Sequence, residues 1–80
     1  MVFSKEGCHL CEAVEAEIRS MEGVNTRLTV VDIEKDRALQ AKYWARIPVI
    51  SMGGSEVFEA SMMDLEGRWR NRLRSILAGP

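Results

Sequence analysis

The sequence predicts an α/β fold of order β-α-β-α-β-β-α, in which helices cover both faces of a four-stranded mixed sheet. Short runs rich in β-branched residues alternate along the chain with segments whose apolar residues recur every three or four positions. The pair Gly53-Gly54 separates two of the short runs and is a hairpin signal. A length of 80 residues allows one domain, residues 1–80, and stacked helices and strands bury its core economically.

The first half of the chain is predicted to form a strand, a helix and a second strand. The first strand covers Met1–Ser4, and the helix covers about Cys8–Met21, with Glu22-Gly23 at its end because glycine commonly follows a helix C-terminus. The apolar stripe of this helix consists of Leu10, Val14, Ile18 and Met21. Thr26–Ile33 is predicted as the second strand, and the run Leu28–Val31 favours burial on both of its faces. The two strands should be parallel, with a right-handed crossover between them.

The second half of the chain is predicted to form a helix, a hairpin and a last helix. Asp36 is the expected N-cap of a helix that extends to about Trp44. Ile47–Met52 is the third strand, and the glycine pair leads into an antiparallel fourth strand at Glu56–Glu59. The last helix is expected over about Met62–Leu77. Its apolar stripe consists of Met62, Leu65, Trp69, Leu73 and Ile76.

Composition and charge are typical of a globular protein. The chain is 46% hydrophobic and 29% charged, and its formal net charge of -1 gives no excess that would attract nucleic acid or an anionic membrane. No apolar run approaches the roughly 18 residues of a membrane span. Lys5 and Glu6 also interrupt any signal-peptide pattern. We therefore expect a cytoplasmic monomer that binds neither nucleic acid nor membranes.

Cys8 and Cys11 are the two cysteines of the chain, and they lie three positions apart. A structural disulfide gains most when it closes a long loop, and this one would close almost none. A zinc site would need two further ligands, but the chain has one histidine and no other cysteine. In a reducing compartment such a pair is better explained by redox chemistry than by covalent stapling.

The position of the pair at the start of the first helix predicts unequal roles for the two thiols. Free backbone N–H groups and the helix dipole stabilise a thiolate at Cys8, so its pKa should fall below that of a free cysteine. Cys11 shares a helix face with Val14 and Ile18 and should be the more buried sulfur. Cys8 is therefore the predicted nucleophile and Cys11 the resolving thiol. Two alternatives remain open: a pair of inert core thiols, or a non-catalytic module that carries a metal or iron–sulfur cluster or docks a partner.

Four segments resemble the glutaredoxin-like branch of the thioredoxin superfamily, and the resemblance covers essentially the whole chain. The segments are Val2-Phe3-Ser4-Lys5, Gly7-Cys8-His9-Leu10-Cys11, Val31-Asp32-Ile33-Glu34 and Arg46-Ile47-Pro48-Val49-Ile50. The motif Cys-His-Leu-Cys looks like that of short members of this family. The resemblance implies a thioredoxin-like fold of the glutaredoxin type and an enzyme that reduces protein or glutathione mixed disulfides.

The resemblance also implies roles for residues around the cysteines. Pro48 would take the cis form and face the two sulfurs, and the backbone of Ile47 would be free to pair with an extended thiol substrate. Lys5 would place its charge near a substrate carboxylate or the attacking thiolate. Asp64, at the start of the last helix, would receive the γ-glutamyl amino group of glutathione. Ala60-Ser61 replaces the family's paired glycines beside it, so a ligand can approach the backbone less closely.

Two further residues depart from the family pattern. His9 occupies a position where dithiol relatives usually have proline. A protonated His9 would tune Cys8 electrostatically, and an exposed side chain without a role is the alternative. Trp44 occupies a position where a helix-ending glycine is common. We expect it to pack over the end of the second helix rather than to line the groove beside the active site.

The expected partners follow from the same resemblance. Protein disulfides or glutathione are the expected substrates, and glutathione is a candidate co-substrate rather than a tightly bound cofactor. Either glutathione or a thioredoxin-reductase-type enzyme is the candidate reductant. No metal site is expected.

Overall fold

Four strands form one mixed sheet in the computed structural model, which describes residues 1–21 and 28–78. The strands are β1 (Val2–Ser4), β2 (Val30–Asp32), β3 (Val49–Met52) and β4 (Ser55–Glu59). Their order in the sheet is β2-β1-β3-β4. β1 is parallel to β2 and antiparallel to β3, and β3 is antiparallel to β4. The predicted element order and the mixed sheet are confirmed.

Helices and short turns lie between the strands and after the last one. Among the described residues they are α1 (His9–Arg19), α2 (Arg37–Tyr43), α3 (Trp69–Ala78) and two 3-10 turns at Ile33–Lys35 and Ala60–Met62. Asp36 caps α2 as predicted, because its Oδ1 accepts the N–H groups of Ala38 and Leu39 at 2.8 and 3.2 Å. Among the described helices, none is long and apolar enough to cross a membrane.

The helices lie on both faces of the sheet, because neighbouring residues of a strand point to opposite sides. One face carries α1 and α3, and its buried cluster consists of Val2, Val14, Ile18, Ile50, Phe58, Trp69 and Leu73. The other face carries α2, and its buried cluster consists of Phe3, Cys11, Ile33, Tyr43, Ile47 and Val49. Cys11 is thus a residue of α1 that reaches the cluster under α2, beside the loop that precedes β3.

Two features of the first half differ from the prediction. The buried stripe of α1 runs through Cys11, Val14 and Ile18, so Leu10 lies about a quarter turn away and is 50% exposed. β2 is the outermost strand with β1 as its neighbour, and Val30 is 41% exposed, so the predicted burial on both faces is wrong. The predicted helix end at Glu22-Gly23 and the start of the predicted second strand lie outside the described residues.

The last helix begins at Trp69, well after the predicted start at Met62. Gly67 has φ +80°, a left-handed conformation that ends any regular helix there. The Asp64 carboxylate then accepts the N–H groups of Arg68 at 3.1 Å and Trp69 at 2.7 Å, so it caps a helix that starts beyond the glycine. Leu65 lies in this connection and is fully exposed, so it does not belong to the apolar stripe.

Candidate active site

Cys8 is the N-cap residue of α1, placed there by the loop that follows β1. Its backbone is extended, with φ -85° and ψ 103°, and its N–H donates to the carbonyl of Lys5 at 3.3 Å. The Cys8 Sγ accepts the N–H of Cys11 at 3.1 Å, and the Cys8 carbonyl accepts the N–H of Glu12 at 3.1 Å. The sulfur therefore takes the place of a capping oxygen and lies at the positive end of the helix dipole.

A disulfide joins Cys8 to Cys11, whose Cα atoms are 5.2 Å apart. Cys8 is half-buried, whereas Cys11 is only 1% exposed and packs in the cluster under α2. The two sulfurs therefore differ in access as the helical spacing predicts. An incoming thiol or disulfide can reach Cys8 and is kept from Cys11.

Ile47 and Pro48 come just before β3 in the chain. Ile47 belongs to the same buried cluster as Cys11, Pro48 is fully buried, and the bond between the two is cis. The Ile47 N–H donates to the carbonyl of Tyr43 at 3.1 Å. The expectation that the Ile47 backbone is free to pair with a substrate is therefore wrong for its N–H group, because the turn that leaves α2 uses that donor.

An open groove of about 480 Å³ runs from the loop before Cys8 along α2. Its lining consists of Lys5, Ile33, Glu34, Arg37, Gln40, Ala41 and Trp44. Trp44 is 68% exposed, so the expectation that it packs over the end of α2 is wrong. The helix ends there with Trp44 as its C-cap, and the side chain turns to the groove instead of the core.

Arg37 and Gln40 line this groove and were not predicted as site residues. They lie seven and four positions before Trp44, a spacing that places all three on one side of α2. This spacing can be read from the sequence, but it indicates a groove only when the fold places Lys5 beside α2. Lys5 and Arg37 give the groove two cationic groups, and Glu34 gives it one acidic group. Such a lining suits a carboxylate-bearing ligand with an apolar portion.

Asp64 and His9 have structural surroundings that bear on their expected roles. Partial burial raises the pKa of Asp64, but hydrogen bonds from the N–H groups of Arg68 and Trp69 outweigh it, so the pKa lies below the usual value. The carboxylate that was expected to receive an amino group is thus a helix cap.

The His9 side chain is 93% exposed, and its Nδ1 lies 3.4 Å from Oε2 of Glu12. Its described contact is therefore with Glu12 and not with Cys8.

Metal ligation was the alternative to thiol chemistry at this site. Within residues 1–21 and 28–78, no group of three or more histidine, cysteine, aspartate or glutamate side chains could hold a metal ion. The Cys8 sulfur accepts the N–H of Cys11, and Cys11 packs among apolar side chains.

Similarity to known proteins covers most of the chain. The model of a family described as glutaredoxin-like domain (DUF836) matches residues 1–73. No curated protein and no solved structure gave a match. The matched range includes Cys8, Cys11 and Pro48, and the sheet with its three helices is consistent with a thioredoxin-like glutaredoxin fold. The match and the cysteine pair together fit a redox role.

Proposed function

Because the chain belongs to the glutaredoxin-like domain family, we propose that it is a thiol–disulfide oxidoreductase in which Cys8 attacks and Cys11 resolves. The observation that carries the proposal is the asymmetry of the pair. Cys8 is a half-buried sulfur that accepts an N–H at the start of α1, and Cys11 is a buried sulfur one turn away. A redox dithiol needs one accessible nucleophile and one sheltered partner within bonding distance.

The reduced protein carries out the reaction in two steps. The Cys8 thiolate attacks one sulfur of a substrate disulfide, forms a mixed disulfide and releases the other sulfur as a thiolate. The Cys11 thiol loses its proton and attacks Cys8, which forms the Cys8–Cys11 disulfide and releases the second substrate thiol. The substrate gains two electrons and the protein loses two. A reductant, either glutathione or a thioredoxin-reductase-type enzyme, then returns the protein to the dithiol.

The helix N-terminus favours the first step. The N–H of Cys11 already donates to the Cys8 sulfur at 3.1 Å, and this bond strengthens when the sulfur carries a negative charge. We expect the pKa of the Cys8 thiol to lie below that of a free cysteine for this reason. Burial disfavours a charge on Cys11, so Cys11 should remain a thiol until the mixed disulfide lies beside it.

The groove along α2 is the proposed place for the rest of the substrate. It begins at Lys5, whose carbonyl accepts the N–H of Cys8, so one end of the groove lies close to the backbone of the attacking cysteine. Lys5 and Arg37 would pair with a carboxylate, as glutathione carries, and Trp44 would cover an apolar part of a larger ligand. Asp64 would bind an amino group less readily, because both carboxylate oxygens already accept hydrogen bonds.

A pair of single substitutions tests the proposal. The Cys8→Ser protein should lose disulfide reduction, and the Cys11→Ser protein should accumulate the mixed disulfide, which intact-mass spectrometry detects as an adduct. Assays that supply glutathione and thioredoxin reductase separately identify the reductant. Retention of wild-type activity in Cys8→Ser would contradict the proposal.

A further inference from the structure

Arg46 lies between α2 and the segment Ile47–Pro48, and its side chain is held from two directions. Its guanidinium donates to the Glu56 carboxylate and lies 3.6 Å from that of Glu59. Both acidic residues belong to β4. The guanidinium carbon also lies 5.4 Å from the centre of the Tyr43 ring, a cation–π arrangement.

The backbone of Arg46 is held as firmly as its side chain. Its N–H donates to the carbonyl of Tyr43 at 2.8 Å, and its carbonyl accepts the N–H of Ala60 at 3.2 Å. Arg46 thus connects the end of α2, strand β4 and the turn that follows β4. The next residue in the chain is Ile47, which lies in the buried cluster with Cys11.

The hydrogen bond between Arg46 and Glu56 favours the charged forms of both side chains. The hydrogen bond from Arg46, opposed by partial burial, lowers the pKa of Glu56, and the same hydrogen bond raises the pKa of Arg46. The Arg46 side chain is 33% exposed, and ion pairs with such access to water contribute little to global stability. The side-chain ion pairs and the two backbone hydrogen bonds hold the same residue, which precedes Ile47 directly in the chain.

We infer that Arg46 is a positioning residue that orients the Ile47 carbonyl to accept a hydrogen bond from the peptide backbone of a disulfide substrate. The inference rests on the proposed function and names its substrate class, a disulfide attached to an extended peptide. The Ile47 N–H is already bonded to Tyr43, so the carbonyl is the backbone group of this residue that remains for a peptide. Recognition through one acceptor depends on where that acceptor lies. Ile47 follows Arg46, which is held through both its backbone and its side chain.

Two mixed disulfides of thionitrobenzoate test this inference. One is made with a short extended peptide that contains a single cysteine, and the other with 2-mercaptoethanol, which has no peptide N–H to donate. Cys8 of the reduced protein attacks the peptide or mercaptoethanol sulfur, forms a mixed disulfide with it and releases coloured thionitrobenzoate. Cys11 then attacks Cys8, which closes the protein disulfide and releases the peptide or mercaptoethanol as a thiol. Absorbance under single-turnover conditions gives the second-order rate constant for each substrate.

The variants are Arg46→Met, Arg46→Lys and the double variant Glu56→Gln/Glu59→Gln. Arg46→Met should lower the rate constant for the peptide substrate about fivefold and change the mercaptoethanol value less than about twofold. Arg46→Lys should restore part of the loss because it keeps the charge. The double variant removes the acidic partners and should match Arg46→Met. Arg19→Met is the control, since it removes an exposed ion pair with Glu15 on α1 and should change neither value.

The selectivity for peptide over mercaptoethanol decides the outcome. Equal losses on both substrates, or no loss on the peptide, would overturn the inference, as would a double variant with wild-type selectivity. If Arg46→Met does not fold, the selectivity of the double variant alone decides between these outcomes. A wild-type protein that attacks neither disulfide shows instead that the proposed function is wrong, and the inference is then overturned with it.

Discussion

Reduction of the Cys8–Cys11 disulfide should weaken the fold only modestly. The bond joins residues three positions apart. The chain-entropy relation for a loop of about four residues gives about 2 kcal/mol, against about 4.7 kcal/mol for a loop of about 100 residues. A dithiol that cycles between two redox states requires such a small difference, because both states must remain folded.

The contacts around the cysteines support a folded reduced state. The hydrogen bond from the Cys11 N–H to the Cys8 sulfur does not require the disulfide, so the start of α1 keeps its cap after reduction. Cys11 lies among Phe3, Ile33 and other buried residues, which hold its side chain in place as a thiol. The cluster between α1, α3 and the sheet contains neither cysteine.

Urea and thermal unfolding of the oxidised and phosphine-reduced protein measure the difference. We expect each form to unfold in a single cooperative transition, and the reduced form to be less stable by about 2 kcal/mol. For a domain of this size that difference corresponds to about 8–16 °C in Tm. The double variant Cys8→Ser/Cys11→Ser is the control and should unfold at the same temperature with and without reductant. A reduced protein that lacks a cooperative transition would mean that the disulfide is a structural bond, and the redox assignment would fail.

Two other predictions concern residues around the site. Asp64→Ala should lower Tm by several degrees at neutral pH because α3 loses its cap, and Asp64→Asn should lose less. Since the pKa of Asp64 is lower in the folded than in the unfolded protein, its stabilisation is present above the ordinary aspartate pKa and disappears as the pH falls through the lowered value. The difference in Tm between wild type and Asp64→Ala should therefore shrink in acid, and a difference that is constant with pH would contradict the assignment. Trp44→Ala should change the free energy of unfolding by no more than about 0.5 kcal/mol, since the side chain is mostly exposed, and should raise the KM for peptide disulfides. The control is Leu65→Ala, which removes a fully exposed side chain before α3. A KM for Trp44→Ala equal to that of the control would show that the groove is not used.

The fold was predictable because its signals are local. Gly53 and Gly54 adopt φ of +58° and +84°, the conformations that a tight hairpin requires, and they determine the antiparallel pairing of β3 with β4. Asp36 caps α2 through two N–H groups, as its residue type and position predict. The unequal positions of the two cysteines were predictable for the same reason. The spacing of three puts Cys8 at the N-terminal end of α1 and Cys11 on the buried face of the helix.

The errors arose where distant residues or a single glycine override a local pattern. Leu65 has helical spacing to Trp69, but Gly67 lies between them in a left-handed conformation and Asp64 caps the helix beyond it. Val30 belongs to a strand of β-branched residues, but its exposure depends on the strand order, which no local pattern specifies. The ion pairs of Arg46 with strand β4 had no signal in the sequence, because the acidic partners follow a hairpin that must form first.

The unequal reactivity of the two cysteines can be measured directly in the reduced protein. Alkylation by iodoacetamide across a range of pH, followed by peptide mapping, gives a rate and a midpoint for each thiol. We predict that Cys8 reacts much faster than Cys11 and that its midpoint lies below that of a free cysteine, because its thiolate accepts the N–H of Cys11 at the start of α1. Equal rates for the two thiols, with midpoints at or above that of a free cysteine, would contradict the proposed roles.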